Sequence, residues 1–405
     1  MKLDHIHFFV EDAVAQRDWF VQRMGWRSLG ASLPNPGFPN THTERLQLGG
    51  LDFLVSSPLD EAGPVAQYLH RYAPGVADVA VQVMAAQATK VSALGSGQIA
   101  PGDFASVGTG WATVQGWGSI RHTLVETGAL GALEGSSFCD HHWPLELGPP
   151  NPQTMAHPHS PKIDHLVLNV PKGELDAAVQ FYQNLFDLQL QQSFRIQTDH
   201  SGLHSQVLYS PQHQCYFNVN EPASASSQIQ TFLDANRGAG IQHLALACGP
   251  IVPTIAALRS RGLPLLAIAS VYYQQLQARW QARQERATPL PVPGPEWQQL
   301  QAQQILVDWQ PDQPGPLLLQ TFSLPIFEQP TFFLSLLNGG KPLAALGKAI
   351  FWHCIKRWKR SWIDDAKETL RRLSWNLACF EASELKLCLR SQPSPMSSSN
   401  AKATG

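Results

Sequence analysis

The sequence predicts an α+β protein assembled from two copies of one strand-and-helix unit. Three observations lead there: an internal repeat, a change of apolar period within each copy, and a later strand that recurs in both halves. Leu3-Asp4-His5-Ile6-His7-Phe8-Phe9-Val10, followed by a stretch with Trp19, Phe20 and the Met24-Gly25-Trp26 turn, forms the first copy. It is echoed by Ile163-Asp164-His165-Leu166-Val167-Leu168-Asn169-Val170, then Phe181, Tyr182 and Leu185-Phe186. Each copy alternates at period two and then changes to helical spacing, which reads as a strand running into an amphipathic helix. The later strand is Val76 to Val81 in the first half and Ile241 to Leu246 in the second.

The 405 residues exceed one ordinary core, so two domains are expected. Leu145 to Pro161, rich in Pro, Asn and His, reads as the linker, with the boundary near Pro150. A Gln-rich helix around Tyr272 to Arg286, followed by a Pro-rich stretch, reads as a surface insertion or lid because of its polarity. A formal charge of −2 with 15% charged residues gives no footprint for nucleic acid. No apolar run approaches the roughly 20 residues of a membrane span, and the opening residues read as a strand rather than a signal peptide. A soluble, cytoplasmic protein without a nucleic-acid or membrane partner is the expectation. Six cysteines occur without a CxxC pair, and Cys139, Cys215 and Cys248 read as reduced, mostly buried thiols.

The recurring strands carry His165 and His243 at equivalent early positions of the second half, where the first half has His5 and Asp78. Two imidazoles on neighbouring strands can converge on a metal, and a carboxylate from a later strand would complete a 2-His-1-carboxylate face. On spacing alone, the better reading is two ordinary half-buried histidines bonded to their neighbours. Asp140-His141-His142 also looks ligand-like, but neighbours on extended backbone point apart, and the segment runs into the linker, so a structural or surface role is expected. Cys139 beside it supports no catalytic role.

Further segments narrow the choice. Ile163-Asp164-His165-Leu166, Asn218-Val219-Asn220-Glu221-Pro222, Ser227-Gln228-Ile229-Gln230-Thr231, Gly238 to Ala245 and Leu318-Leu319-Gln320-Thr321-Phe322 follow one another in order, with Gln329-Pro330-Thr331-Phe332-Phe333 behind them. Over residues 1 to 333 this series resembles the 4-hydroxyphenylpyruvate dioxygenases. The resemblance implies a vicinal-oxygen-chelate fold of the glyoxalase and dihydroxybiphenyl dioxygenase kind, with tandem βαβββ repeats forming two half-barrel domains. Residues 1–150 would be structural and 151–335 catalytic. It also implies Fe(II) on His165 and His243, and a pocket lined by Ser205, Asn220, Gln228, Gln242 and Gln320, with Gln242 and Gln320 closest to the chemistry. The reaction implied joins O2 to 4-hydroxyphenylpyruvate, a 2-oxo acid, giving homogentisate and CO2 in tyrosine catabolism. Neutral amides and a hydroxyl suit a pocket that orients a phenol without titrating it.

The family pattern stops abruptly. Members place a Glu four residues after the Thr, as the third ligand, and follow it with a Gly-Phe-Gly-x-Gly-Asn-Phe segment. Here Thr331 is followed by Phe332, Phe333, Leu334 and Ser335. Joining the last base of each codon to the first two of the next forces Leu from Phe351-Trp352, Ala from Trp352-His353, Leu from His353-Cys354 and Glu from Trp358-Lys359. The same shift permits Glu from Leu334-Ser335 and Gly-Phe-Gly-Glu-Gly-Asn-Phe across Ala344 to Phe351. Loss of one T from a run encoding three Phe codons would produce this chain. Residues 336–405 then form an out-of-frame tail, expected to be largely disordered, with a Ser- and Pro-rich end. The competing reading is a genuine tail with an amphipathic helix near Ile355 to Trp375. Glu328, an odd number of residues from Ser335, would face away on a strand and cannot replace the ligand.

Two other functions stay in view: a hydroxymandelate synthase using the same substrate and iron, and a metal-free binding protein of the same fold. The sequence does not set the oligomeric state, and a homo-oligomer is compatible with it.

Overall fold

A computed structural model describes residues 1–84, 99–100, 111–126, 138–146, 161–197, 201–213, 215–281, 294–308 and 317–338. All of them belong to one compact unit, Met1–His353. The second unit, Cys354–Gly405, lies outside the described residues, as do the boundary expected near Pro150 and the tail beyond Asn338.

The first half contains strands β1 (Lys2–Phe9), β2 (Arg27–Ala31), β3 (Thr41–Leu48), β4 (Leu51–Pro58), β5 (Gly75–Val83), β6 (Ile99–Ala100), β7 (Trp111–Gln115) and β8 (Arg121–Glu126). The second contains β9 (Lys162–Asn169), β10 (Gln189–Gln197), β11 (Gly202–Ser210), β12 (Cys215–Pro222), β13 (Gly240–Ala247), β14 (Leu306–Asp308), β15 (Leu318–Phe322) and β16 (Phe333–Leu337). Each set forms an eight-stranded sheet, in the orders β2-β3-β4-β1-β5-β8-β7-β6 and β10-β11-β12-β9-β13-β16-β15-β14. The two orders are the same once the numbering is shifted by one half, as the repeat requires. Within each sheet the first strand of the half pairs antiparallel with the later recurring strand, β1 with β5 and β9 with β13.

Local chemistry sets the helices. Asp12 caps α1 (Ala13–Trp19) by accepting from the Ala15 N–H at 3.0 Å. A wide turn over Phe20–Met24 continues it and ends at Gly25, whose φ of 71° is left-handed backbone that glycine adopts without strain. The following Trp26 stacks on Phe20 with ring centroids 4.2 Å apart. In α4 (Leu175–Phe186) the buried residues Leu175, Ala178, Val179, Tyr182, Leu185 and Phe186 make one stripe. That stripe covers the face of β9 and β12 carrying Leu166 and Phe217, with Tyr182 4.5 Å from the Phe217 ring. Each such large apolar side chain stabilises the fold by about 1.5–3 kcal/mol on burial. Period two along β9 leaves His165, Val167 and Asn169 on the opposite face.

The halves are joined by polar contacts between backbone and side chain. Arg23 donates to the carbonyls of Arg261 and Gly262, and Arg237 to those of Leu69, His70 and Tyr72. The fully buried His122 meets the Tyr182 hydroxyl at 3.2 Å, and its Nδ1 lies 3.0 Å from the Val79 carbonyl. Gly118, at φ 64°, lets the turn between β7 and β8 approach Ala239, where the Ser119 N–H donates to the Ala239 carbonyl at 3.0 Å.

Three expectations need correction. The Gln-rich helix, α7 (Ser270–Gln281), is anchored rather than purely superficial: Tyr272, Tyr273 and Leu276 are buried, and the tyrosine hydroxyls donate to the Val307 and Ile305 carbonyls at 2.9 Å. Its glutamines hid one apolar edge. Asp140-His141-His142 is not extended but lies in a short helix, α3 (Phe138–His142). The segment is pinned there by Arg45, which donates to the Cys139 and Trp143 carbonyls and pairs with Asp140 at 3.0 Å. Finally, Leu336 and Leu337 belong to β16 and are buried, because a nearly continuous apolar run satisfies a strand buried on both faces whatever frame encoded it.

Candidate active site

The second half sets His165, His243, Ser205 and Asn220 on the face of its sheet away from α4. His165 on β9 and His243 on β13 are both buried, with ring centroids 5.6 Å apart and planes at 78°. Two β-bulges explain how neighbouring residues share this face. Ile241 pairs with Leu168 and His243 with Val167, so Gln242 is the extra residue on β13 and stands beside His243. Its Oε1 lies 3.4 Å from the His243 Nδ1. Ala245 pairs with His165 and Leu246 with Ile163, so Asp164 is the extra residue on β9. Asp164 Oδ1 therefore reaches the His165 Nδ1 at 2.7 Å. A carboxylate on one ring nitrogen fixes the imidazole's orientation and leaves the other nitrogen to act. Burial, reinforced by His165, pulls the His243 pKa well below its ordinary value, so this ring is neutral and able to offer a lone pair.

Ser205 and Asn220 are cross-strand partners on β11 and β12, and Asn220 donates to the Asn169 side chain at 3.3 Å. Gln228 opens α5 (Gln228–Asn236), whose N-cap is Ser227, and is buried on a different element from the pair. The buried Asn169 Nδ2, Asn218 Oδ1, Gln228 Oε1 and Gln242 Nε2 have no hydrogen-bond partner among the described residues. Orphaned buried amides cost about 1–3 kcal/mol each, a pattern that a polar small molecule in this space would relieve. Sequence reasoning missed Asn169, Asn218 and the supporting Asp164. The Asp-His pair repeated in both halves was the available signal for the last.

The late strand is where the site departs from a metal centre. Parallel pairing sets His243 beside Phe333 and Ala245 beside Ser335. Ser335 thus stands in the row of His165 and Ala245, one row from His243, where a carboxylate would complete the set. Its hydroxyl instead accepts from the Gln320 amide at 2.6 Å. A Ser oxygen sits two carbons short of a Glu carboxylate, and His165 lies two strand spacings away, about 10 Å between backbones. Glu328 offers no substitute: it is exposed in an irregular segment before β16, so its exposure rather than strand parity removes it. Among the described residues, no third His, Cys, Asp or Glu joins His165 and His243 within ligating distance of one another. The residues present supply two imidazoles and no carboxylate, and do not fit a complete iron(II) triad.

The first half shows what the same architecture does when filled. Asp78, at the place of His243, accepts from the Thr123 N–H and hydroxyl and pairs with Arg121 at 2.9 Å. His7 is bonded to Ser56 at 2.6 Å and packed edge-on against Phe9 and Trp143.

Residues 162–277 match the model of the Glyoxalase/Bleomycin resistance protein/Dioxygenase superfamily. The chain is 30% identical over 365 residues to an uncharacterised protein of Synechocystis sp., covering 87% of this chain and 95% of that protein. It is 26% identical to the 4-hydroxyphenylpyruvate dioxygenase of Aspergillus fumigatus and 29% to that of Caenorhabditis elegans, each match covering 83% of this chain and 86% and 85% of the relative. Among solved structures, a triple mutant of 4-hydroxymandelate synthase from Streptomyces coelicolor aligns with a TM-score of 0.68 at 23% identity, covering 86% of this chain and 95% of that one. The fold is therefore that of the vicinal-oxygen-chelate proteins, mixed α+β with curled sheets, and the chain belongs to one family with the Synechocystis protein and is similar over most of its length to 4-hydroxyphenylpyruvate dioxygenases.

Proposed function

We propose that the scaffold is that of an iron(II)-dependent dioxygenase converting 4-hydroxyphenylpyruvate and O2 to homogentisate and CO2, and that this polypeptide lacks the activity. The observation that carries the second clause is Ser335, fully buried in the ligand row and bonded to Gln320. Loss of a supporting contact alone costs about 10–100-fold in metal affinity or activity, and a missing ligand costs at least as much. A one-base change of frame accounts for the substitution. The share of the chain outside the matches to the dioxygenases is about the size of the segment after Ser335, in keeping with that origin.

Within this reading, His165 and His243 are the remaining ligands, with Asp164 and Gln242 holding their rings. Ser205, Asn220, Gln228, Gln242 and Gln320 orient the substrate. The protein is a cytoplasmic enzyme of small molecules, and a homo-oligomer is compatible with it.

The test compares the present chain with a version whose frame is restored at Thr331 to Leu336. Homogentisate from the restored protein alone is the expected outcome. Hydroxymandelate from it would move the assignment to the synthase, and failure of the restored protein to bind iron(II) would favour a metal-free binding protein. Turnover by the present chain would refute the claim of inactivity.

A further inference from the structure

We propose that the first half of the molecule holds a zinc-type site made by Asp4, His5 and Cys139. A carboxylate oxygen, a ring nitrogen and the thiol sulfur of these residues lie within 4.8 Å of one another. This is the one grouping of three metal-ligating side chains among the described residues, and it lies outside the site discussed above. Tetrahedral zinc, with bonds of about 2.0–2.3 Å, spaces its ligands at roughly 3.5 Å, so an ion would displace the shared proton, open the 2.9 Å Asp4–His5 contact slightly and close the wider separations.

Several features favour an ion over a plain hydrogen-bond cluster. The sulfur, nitrogen and oxygen donors are the types zinc takes, and a thiolate plus a carboxylate balance its two positive charges. The site is closed, with Cys139 1% and His5 2% exposed and the Asp4 side chain 7%. It is also built from support outside itself. Gln82 donates to the other Asp4 oxygen at 3.0 Å, and Phe138 stacks on His5 with centroids 5.6 Å apart and planes within 7°. The nearby Arg45 guanidinium does not oppose a cation there, because Asp52 and Asp140 accept from it at 3.1 and 3.0 Å.

The repeat gives an independent argument. His5 occupies the position of His165, and each is held through Nδ1 by the preceding Asp, at 2.9 and 2.7 Å. The Asp-His pair that only orients a ring in the second half would itself become two of the ligands in the first half, where an ion would take the place of the proton between them. Where its second strand lost the His243 equivalent, α3 brings Cys139 against the same ring instead. The site uses one element more than its counterpart, and a fourth position is left for water or another donor.

Cobalt(II) titration of the full chain tests this, because a thiolate ligand gives a charge-transfer band in the near ultraviolet that imidazole and carboxylate ligands do not. The expected result is one equivalent of that band, displaced by zinc(II), lost in Cys139→Ser and retained in His243→Ala. The proposal does not depend on iron binding at His165 and His243, so absence of iron from that pair leaves it intact. A band that survives Cys139→Ser, or no band in a chain shown to be folded by circular dichroism, would overturn it. Should Cys139→Ser fail to fold, Asp4→Asn keeps the side-chain shape and is expected to weaken zinc(II) at least about 10-fold; unchanged affinity there refutes the site equally.

Discussion

The Gln320 amide donates to the Ser335 hydroxyl at 2.6 Å, between neighbouring strands in a fully buried part of the sheet. The bond makes Ser335 a structural residue in a place built for a ligand. Ser335→Ala would leave the amide without this partner and is expected to cost about 1–3 kcal/mol, read as a lower urea midpoint. Ser335→Glu is expected to raise iron(II) affinity at least about 10-fold, measured by competition with a chromophoric chelator. Equal affinity in the two proteins would show that the third position is not what the pair lacks.

Asp164 has no place in the chemistry, yet it holds the His165 ring. In the frame-restored protein, Asp164→Ala is expected to lower iron affinity about 10–100-fold, with Asp164→Asn milder because an amide oxygen can still accept the Nδ1 proton. Identical losses in both variants would show that the carboxylate charge, rather than the shape or the acceptor oxygen, holds the ring.

His122 supplies a pH dependence. Burial pulls its pKa below the ordinary value, with partial compensation from the Val79 carbonyl and Asp78. The folded protein therefore binds fewer protons at this ring than the unfolded chain does once pH falls below about 6.5. Its contribution is complete above that pH and is lost as pH drops toward the depressed folded value, with a slope of at most about 1.4 kcal/mol per pH unit. Urea unfolding at pH 7.5 and 5.5 should show a smaller difference for His122→Asn than for the parent chain.

At the junction of the halves, a Cβ on Gly118 would lie 2.5 Å from the Ala239 carbonyl oxygen, and the residue holds φ +64°. Gly118→Ala is expected to cost at least about 1 kcal/mol from backbone strain alone, seen as a lower Tm. An unchanged Tm would mean that the turn relaxes away from Ala239 freely.

Much of this architecture was legible in the sequence because the repeat places equivalent residues at equivalent offsets. Asp4-His5 and Asp164-His165 announced matching strands, and period two told which residues shared a face. What escaped was set by departures from that period. The bulge at Gln242 brings two adjacent residues to one side, which strict alternation forbids, and the bulge at Asp164 does the same for His165. The Asp140 segment escaped for another reason: its helix is fixed by Arg45, nearly a hundred residues earlier in the chain. The glutamines of α7 likewise concealed two buried tyrosine anchors whose partners lie on β14 and just before it.

β16 runs to Leu337 and pairs in register with β13 and β15, although the proposed change of frame precedes most of it. Sheet formation asks of these positions only that they be apolar and able to extend, and Leu-Ser-Leu-Leu meets that demand. The sheet of the second half would then keep its pairing at this strand in this chain as in a working relative. Cellular surveillance that recognises exposed apolar surface would have no reason at this strand to remove it. At this strand the substitution leaves the pairing of the sheet intact and appears only when the protein is asked to hold an ion.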